Sequence, residues 1–201
     1  MFYQEINILE QEEVPSHAVM AQVYSKIHIA LAELNNRLNV VPVGLSFPEY
    51  DYQPNRGKHQ NTVGKKIRLI AKDKECLTNL NITKYLCRLF DYITLSSIQS
   101  VPVGITNFSI YKRKQVKSNA ATLARRIVNK TGVEESIALE KAKNSLTFTD
   151  LPYVCLSSYS TSANVSNNRF TLHIEKLRAD SETAFVFSTY GLSSLSALPD
   201  F

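Results

Sequence analysis

Tryptophan is absent from this chain of 201 residues, and glycine (6), proline (7), cysteine (3) and methionine (2) are scarce. The three cysteines, Cys76, Cys87 and Cys155, are an odd number, and none stands in CxxC spacing. That pattern argues against a disulfide framework and against a cysteine-rich zinc site, and it fits a reducing, cytoplasmic setting. No apolar run has the length of a transmembrane helix. The first residues, Met1 to Glu5, lack the basic and apolar stretches of a signal peptide, so export is not expected. There is no HExxH, no glycine-rich phosphate loop and no GxSxG elbow, and the acids are scattered. Zincin, P-loop and esterase chemistry therefore find no support.

One further absence is local. Between Asp91 and Glu134 no acidic residue occurs, while Lys112, Arg113, Lys114, Lys117, Arg125, Arg126 and Lys130 all fall there. The net charge of +5 hides an asymmetry: residues 1–55 carry seven acids and two bases, and the remainder 11 acids and 21 bases. A segment of one sign repels itself, and a polyanion relieves that cost. Concentration of the charge favours a nucleic acid over a merely solvated basic surface.

Of the residues, 44% are hydrophobic and 20% charged, enough apolar material for a real core. Alternation predicts a strand over 2–9. Val19, Met20, Val23, Ile27, Ala30, Leu31 and Leu34 recur at helical spacing, predicting a helix from an N-cap at Ser16 to Asn35-Asn36. Strands are expected at 40–47 and 66–71, separated by a polar loop over 51–64, then a helix over 74–90 and a strand over 92–101. The order β-α-β-β-α-β gives an α+β chain whose N-terminal domain, 1–101, is ferredoxin-like. A boundary at Pro102 and Gly104 precedes a C-terminal domain, 105–201. It holds an extended segment (105–116), a basic helix capped by Ser118-Asn119 and stopped at Gly132, a helix over 134–144, and strands over 153–158, 170–177 and 184–189.

In the basic helix Ala120, Leu123, Ala124 and Ile127 share one side, and Thr122, Arg125, Arg126, Asn129 and Lys130 the other. Guanidinium groups on such a face suit phosphate oxygens. In the preceding segment, extended backbone places Arg113, Gln115 and Lys117 on one face; Arg matches the edge of guanine and Gln that of adenine. Of four histidines, His59 sits in the polar loop, His17 begins the first helix, and His173 follows an apolar strand residue and is packed or functional with equal reason. His28 lies beside the stripe of Tyr24, Ile27 and Leu31 and is expected half-buried; on pattern alone, a satisfied boundary histidine is favoured over a catalyst. The serine cluster from Ser157 to Thr161 reads as turn chemistry rather than a nucleophile.

Five segments taken in order are similar to the type I-F CRISPR-associated endoribonucleases that process precursor CRISPR RNA. They are residues 25–31 around His28; Gly44 to Pro48 with Gly64 to Arg68; Arg113 to Asn119 leading into Leu123 to Arg126; Leu151 to Val154 through Ser158 to Thr161; and Arg169 to Ile174 with Tyr190 to Ser193. The resemblance implies roles. His28 is the general base, Ser158 positions the attacking ribose, and Tyr190 orients the histidine. Arg113 and Gln115 read bases at the foot of the stem, and Phe170 stacks near the terminal pair. Lys117, Ser118, Asn119, Arg125, Arg126, Lys130, Ser160 and Thr161 complete the RNA contacts. It also implies that no cofactor or metal is used, that the 2′-hydroxyl attacks, and that a 2′,3′-cyclic phosphate results. The enzyme then stays on the 3′ hairpin of the guide alongside the other subunits of the type I-F surveillance complex, away from any membrane. A non-catalytic hairpin-binding subunit of a ribonucleoprotein is the alternative.

Overall fold

The structure, a computed structural model, describes residues 1–56, 60–117, 119–157, 169–181 and 184–201. Among these residues the chain is a mixture of helices and two antiparallel sheets. The first half runs β1 (Phe2–Ile8), α1 (Ser16–Leu38), β2 (Val43–Ser46), β3 (Lys66–Ala71), α2 (Lys74–Leu80), α3 (Ile82–Leu86), β4 (Ile93–Leu95) and β5 (Gln99–Ser100). Its strands lie in the order β2-β3-β1-β4, and β5 also pairs with β1. The second half runs β6 (Phe108–Lys114), α4 (Ala120–Thr131), α5 (Glu135–Asn144), β7 (Tyr153–Ser157), β8 (Arg169–Ala179) and β9 (Leu198–Pro199), with strand order β7-β8-β6-β9. No helix among the described residues is long and apolar enough to cross a membrane.

One core serves both halves. Val23, Ile27 and Leu31 of α1 belong to the same buried cluster as Tyr111, Leu156, Leu172, Ile174 and Leu198. Each fully buried aliphatic side chain there contributes about 1.5–3 kcal/mol. Aromatic rings bridge the halves: Tyr24 stacks on Phe47 at 6.2 Å, and Phe47 meets Tyr111 edge-on at 5.3 Å. The basic helix α4 stands apart, packing with α5 in a small cluster around Ala124, Ala138 and Ala142. Such a thin seam leaves Thr122, Arg125, Arg126, Asn129 and Lys130 exposed, as the sequence pattern predicts.

Several local expectations are corrected. Ser16 is the first helical residue rather than the cap; Pro15 holds that position, its carbonyl accepting from Ala18 N at 2.9 Å. The helix passes Asn35-Asn36 and ends at Asn39, which takes the left-handed conformation (φ 54°) that asparagine tolerates. The helix expected over 74–90 breaks at Asn81 (φ 44°). On a continuous helix Ile82 and Leu86 would face away from Leu77 and Leu80, and the break lets all four bury. The strand expected over 92–101 is split. Ile6 pairs with Leu95 but Tyr3 with Gln99, so one extra residue is inserted as a bulge. Ser96 fills the gap, its Oγ accepting from Glu5 N at 2.9 Å.

Residues 184–189 form no strand beyond a bridge between Val41 and Phe187, because the Ser196 hydroxyl satisfies the Val186 backbone on both sides. The short β9 pairs with β6 instead. Finally, β6 stops at Lys114, so alternation does not carry Gln115 and Lys117 onto the face of Arg113. Beyond the strand the chain turns to Thr147, whose Oγ1 accepts from Lys117 N at 2.9 Å.

Candidate active site and nucleic-acid interface

Helix α1 brings His28 to the end of the core, and the turn after Phe187 brings Tyr190 over it. The two rings lie parallel with centroids 4.1 Å apart. His28 Nδ1 is 2.8 Å from the Thr189 carbonyl oxygen. A carbonyl only accepts, so Nδ1 carries a hydrogen, and in the neutral form of the ring the lone pair is then on Nε2. This is the tautomer a general base requires. Tyr24 donates its phenol to the Tyr190 carbonyl at 2.8 Å from below; burial pushes that phenol well above the usual range and keeps it a donor.

The turn itself is held tightly. Gly191 N bonds to Ser188 O at 2.8 Å, and Leu45 N donates to Gly191 O at 2.8 Å. Gly191 has φ +68°, and a Cβ there would sit 2.3 Å from Leu45 Cγ. Gly191→Ala is therefore expected to cost roughly 2–4 kcal/mol, from left-handed strain and overpacking together. Gly104→Ala is its control, having φ +84° but nothing within 4 Å. Thermal unfolding should show the Gly191 variant clearly less stable than the Gly104 variant; equal losses would contradict the close approach.

Two depressions meet at Phe170. The first, about 320 Å³, is lined by His28, Tyr190, Phe170, Ser157, Ser25 and Glu33 among others. The second, about 640 Å³, is lined by Arg113, Gln115, Asn119, Arg126 and Phe170, together with Lys114, Phe148, Arg169, Thr171 and His173. Arg113 links them: its guanidinium carbon lies 5.2 Å from the Tyr190 ring centroid and 5.6 Å from that of Phe170. Phe170 meets Tyr190 edge-on at 6.3 Å. The structure thus brings His28, Tyr190, Phe170 and Arg113 into one cluster, with Gln115, Asn119 and Arg126 beside it.

Asn119 also caps α4, accepting from Thr122 N at 3.0 Å. Lys117, Arg125 and Lys130 are exposed but do not line that cavity. No acid among the described residues pairs with Arg113, Lys117, Arg125, Arg126 or Lys130, whereas Lys112 is neutralised by Glu175 at 3.2 Å. Ser118, Ser158, Ser160 and Thr161 lie outside the described residues. His173 is buried, with Nδ1 3.4 Å from Leu151 O. No group of three or more His, Cys, Asp or Glu suited to a metal occurs among the described residues.

Sequence reasoning missed several lining residues. Ser25, Ala32 and Asn36 return at helical spacing from His28, a signal that was readable. Phe148 is 83% exposed beside the arginines, and an isolated aromatic in a polar stretch gave no signal. Arg169 enters only through the pairing of Ser157 with Arg169 at the β7–β8 edge.

The chain is 30% identical over 200 residues to the CRISPR-associated endonuclease Cas6/Csy4 of Escherichia coli (strain UTI89 / UPEC), covering 99% of this chain and 98% of the relative. Among solved structures, a RAMP protein binding different RNA substrates overlaps 98% of both chains with 11% identity and a TM-score of 0.34. A Cas6-related protein from Pyrococcus furiosus overlaps 98% of both with 10% identity and a TM-score of 0.33. The model of the CRISPR-associated protein family Cas_Csy4 matches residues 3–201, and the chain belongs to that family.

Proposed function

We propose that this protein is a metal-independent endoribonuclease that binds the stem-loop of a CRISPR repeat and cuts at its 3′ base. The observation that carries the reading is His28, stacked on Tyr190 and fixed through Nδ1 to Thr189, beside Arg113, which meets no acid among the described residues. The stem lies in the depression of Arg113, Gln115 and Arg126, with its last pair against Phe170. His28 Nε2 takes the proton of the ribose 2′-hydroxyl, whose oxygen attacks the adjoining phosphorus. The bond to the 5′-oxygen breaks, that oxygen gains a proton from water, and the imidazolium returns its own to water. The products are a 2′,3′-cyclic phosphate and a 5′-hydroxyl. Positioning of an internal nucleophile supplies much of the rate. Ser158 is assigned to hold the ribose, and Ser118, Ser160 and Thr161 to RNA contacts, by the family resemblance.

Residues 1–101 are read as the ferredoxin-like unit, supported by the strand order β2-β3-β1-β4, and 105–201 as the unit that grips the hairpin. After cleavage the protein stays on the guide's 3′ hairpin within the type I-F surveillance complex in the cytoplasm. The test is incubation with repeat RNA in EDTA: cleavage once, at a fixed position, is expected. Binding without cleavage would favour a non-catalytic hairpin-binding subunit.

Substitutions separate base reading from backbone grip. Arg113→Ala and Gln115→Ala should each weaken binding by about 1–3 kcal/mol and relax discrimination at one base pair. Arg126→Ala should weaken all hairpins alike and lower the salt dependence. Equal losses on cognate and base-swapped stems for Arg113→Ala would remove the base-reading role.

A further inference from the structure

The depression at His28 does not end there. It shares Ser25, Ile29 and Ser157 with a second cavity of about 470 Å³, which shares Cys155 with a third of about 510 Å³. Together they form one groove between α1 and β7, the edge strand of the second sheet. Its wall on the helix returns every three or four residues, through positions 17, 21, 25 and 28, over roughly 16 Å of helix. From Ser25 towards the start of α1 no carboxylate among the described residues lines it. Lys26, which meets no acid among the described residues, lines the middle cavity, and Lys65 and His17 line the far one. Lys65 also pairs with Glu10.

We propose that this groove binds the single-stranded RNA that continues past the scissile phosphate, the segment that leaves with the 5′-hydroxyl. The inference rests on the hairpin reading above. Phe170 lines both the stem-facing depression and the one at His28. RNA whose stem occupies the first therefore delivers its next nucleotides into the second and on towards Lys26. A cationic groove with a ring at its far end, His17 or Tyr153, follows the usual design for single strands: backbone charge is met by lysine, and bases are met by a flat ring. The two further cavities share no lining residue with the stem-facing depression that Asn119 and Arg126 help to form, so the groove extends contact to RNA that α4 does not reach. Holding that segment fixes the departing 5′-oxygen opposite the attacking hydroxyl, as in-line displacement needs.

The test uses the intact protein and two repeat hairpins carrying a 2′-deoxy sugar at the cut position. One hairpin ends just past the scissile bond; the other continues as a single strand. The longer hairpin should bind roughly 5-fold more tightly at low salt, with log Kd steeper against log salt by about 0.7 for each added phosphate contact. Lys26→Glu should remove both differences while leaving the short hairpin's affinity unchanged. Lys26 belongs neither to the His28 cluster nor to the stem-facing depression, and an unchanged short hairpin also shows that the variant is folded. Equal affinity for the two hairpins overturns the groove, as does a tail advantage that survives Lys26→Glu, or an equal loss on both hairpins. In all three cases the hairpin reading stands. If neither hairpin binds the wild-type protein, the hairpin reading has failed and the groove falls with it.

Discussion

His28→Ala should lose cleavage by ~10²–10⁴-fold while holding the repeat hairpin with nearly wild-type affinity. The asymmetry follows from the placement of the groups. Among the described residues that line the His28 depression, the imidazole is the group placed to accept a proton, through Nε2, since Nδ1 is committed to Thr189 O. The arginines proposed to grip RNA line the neighbouring depression, which shares Phe170 with this one. Removing the ring leaves their charge untouched. A companion variant sharpens the result: the stack at 4.1 Å is made by the tyrosine ring rather than its hydroxyl. Tyr190→Phe should therefore stay within a few fold of wild type, while Tyr190→Ala should fall with His28→Ala, though less far. His173 lines the stem-facing depression, and it is buried against Leu151 O and Tyr153. A dead His173→Ala beside an active His28→Ala would mean that the base has been placed on the wrong residue.

Much of the architecture was legible because local pattern and tertiary packing agree. Residues 19–34 of α1 alternate at helical spacing and bury that face. Strand β3 spans 66–71 as its alternation predicts. Helix α4 begins after Asn119 and stops at Gly132, which takes φ 69°, because cap and terminator are both written in the chain. What was not legible arises from contacts distant in sequence. The bulge at Ser96 is visible only against β1, the break at Asn81 only against the core that buries Ile82 and Leu86, and β9 only against β6. The end of β6 at Lys114 is set by Thr147.

The candidate site divides the same way. The basic face of α4 and the half-burial of His28 follow from periodicity. No periodicity joins His28 to Tyr190, or Arg113 to Phe170. Those pairs meet through the tight turn at Gly191 and the β6–β8 register, which sets Arg113 opposite Ile174. Resemblance to the family supplied the partners in the sequence, and the distances between them are the structure's contribution.

The same geometry makes a second large effect specific to the substrate. If the nucleophile is the ribose 2′-hydroxyl, then the protein contributes a base, a grip and an orientation, and the attacking oxygen belongs to the RNA. Its loss cannot be compensated by any side chain. One hydroxyl adds only ~1 kcal/mol as a hydrogen bond, so binding should barely change. Ser158→Ala should slow the reaction less than His28→Ala, since the ribose oxygen remains able to reach phosphorus. The most direct measurement is thus single-turnover cleavage of a repeat hairpin with one 2′-deoxy sugar at the cut position, in EDTA, with binding measured on the same RNA. Full binding with no detectable cleavage is the expected result; cleavage at the rate of the all-ribose hairpin would contradict the mechanism proposed for His28 and its surroundings.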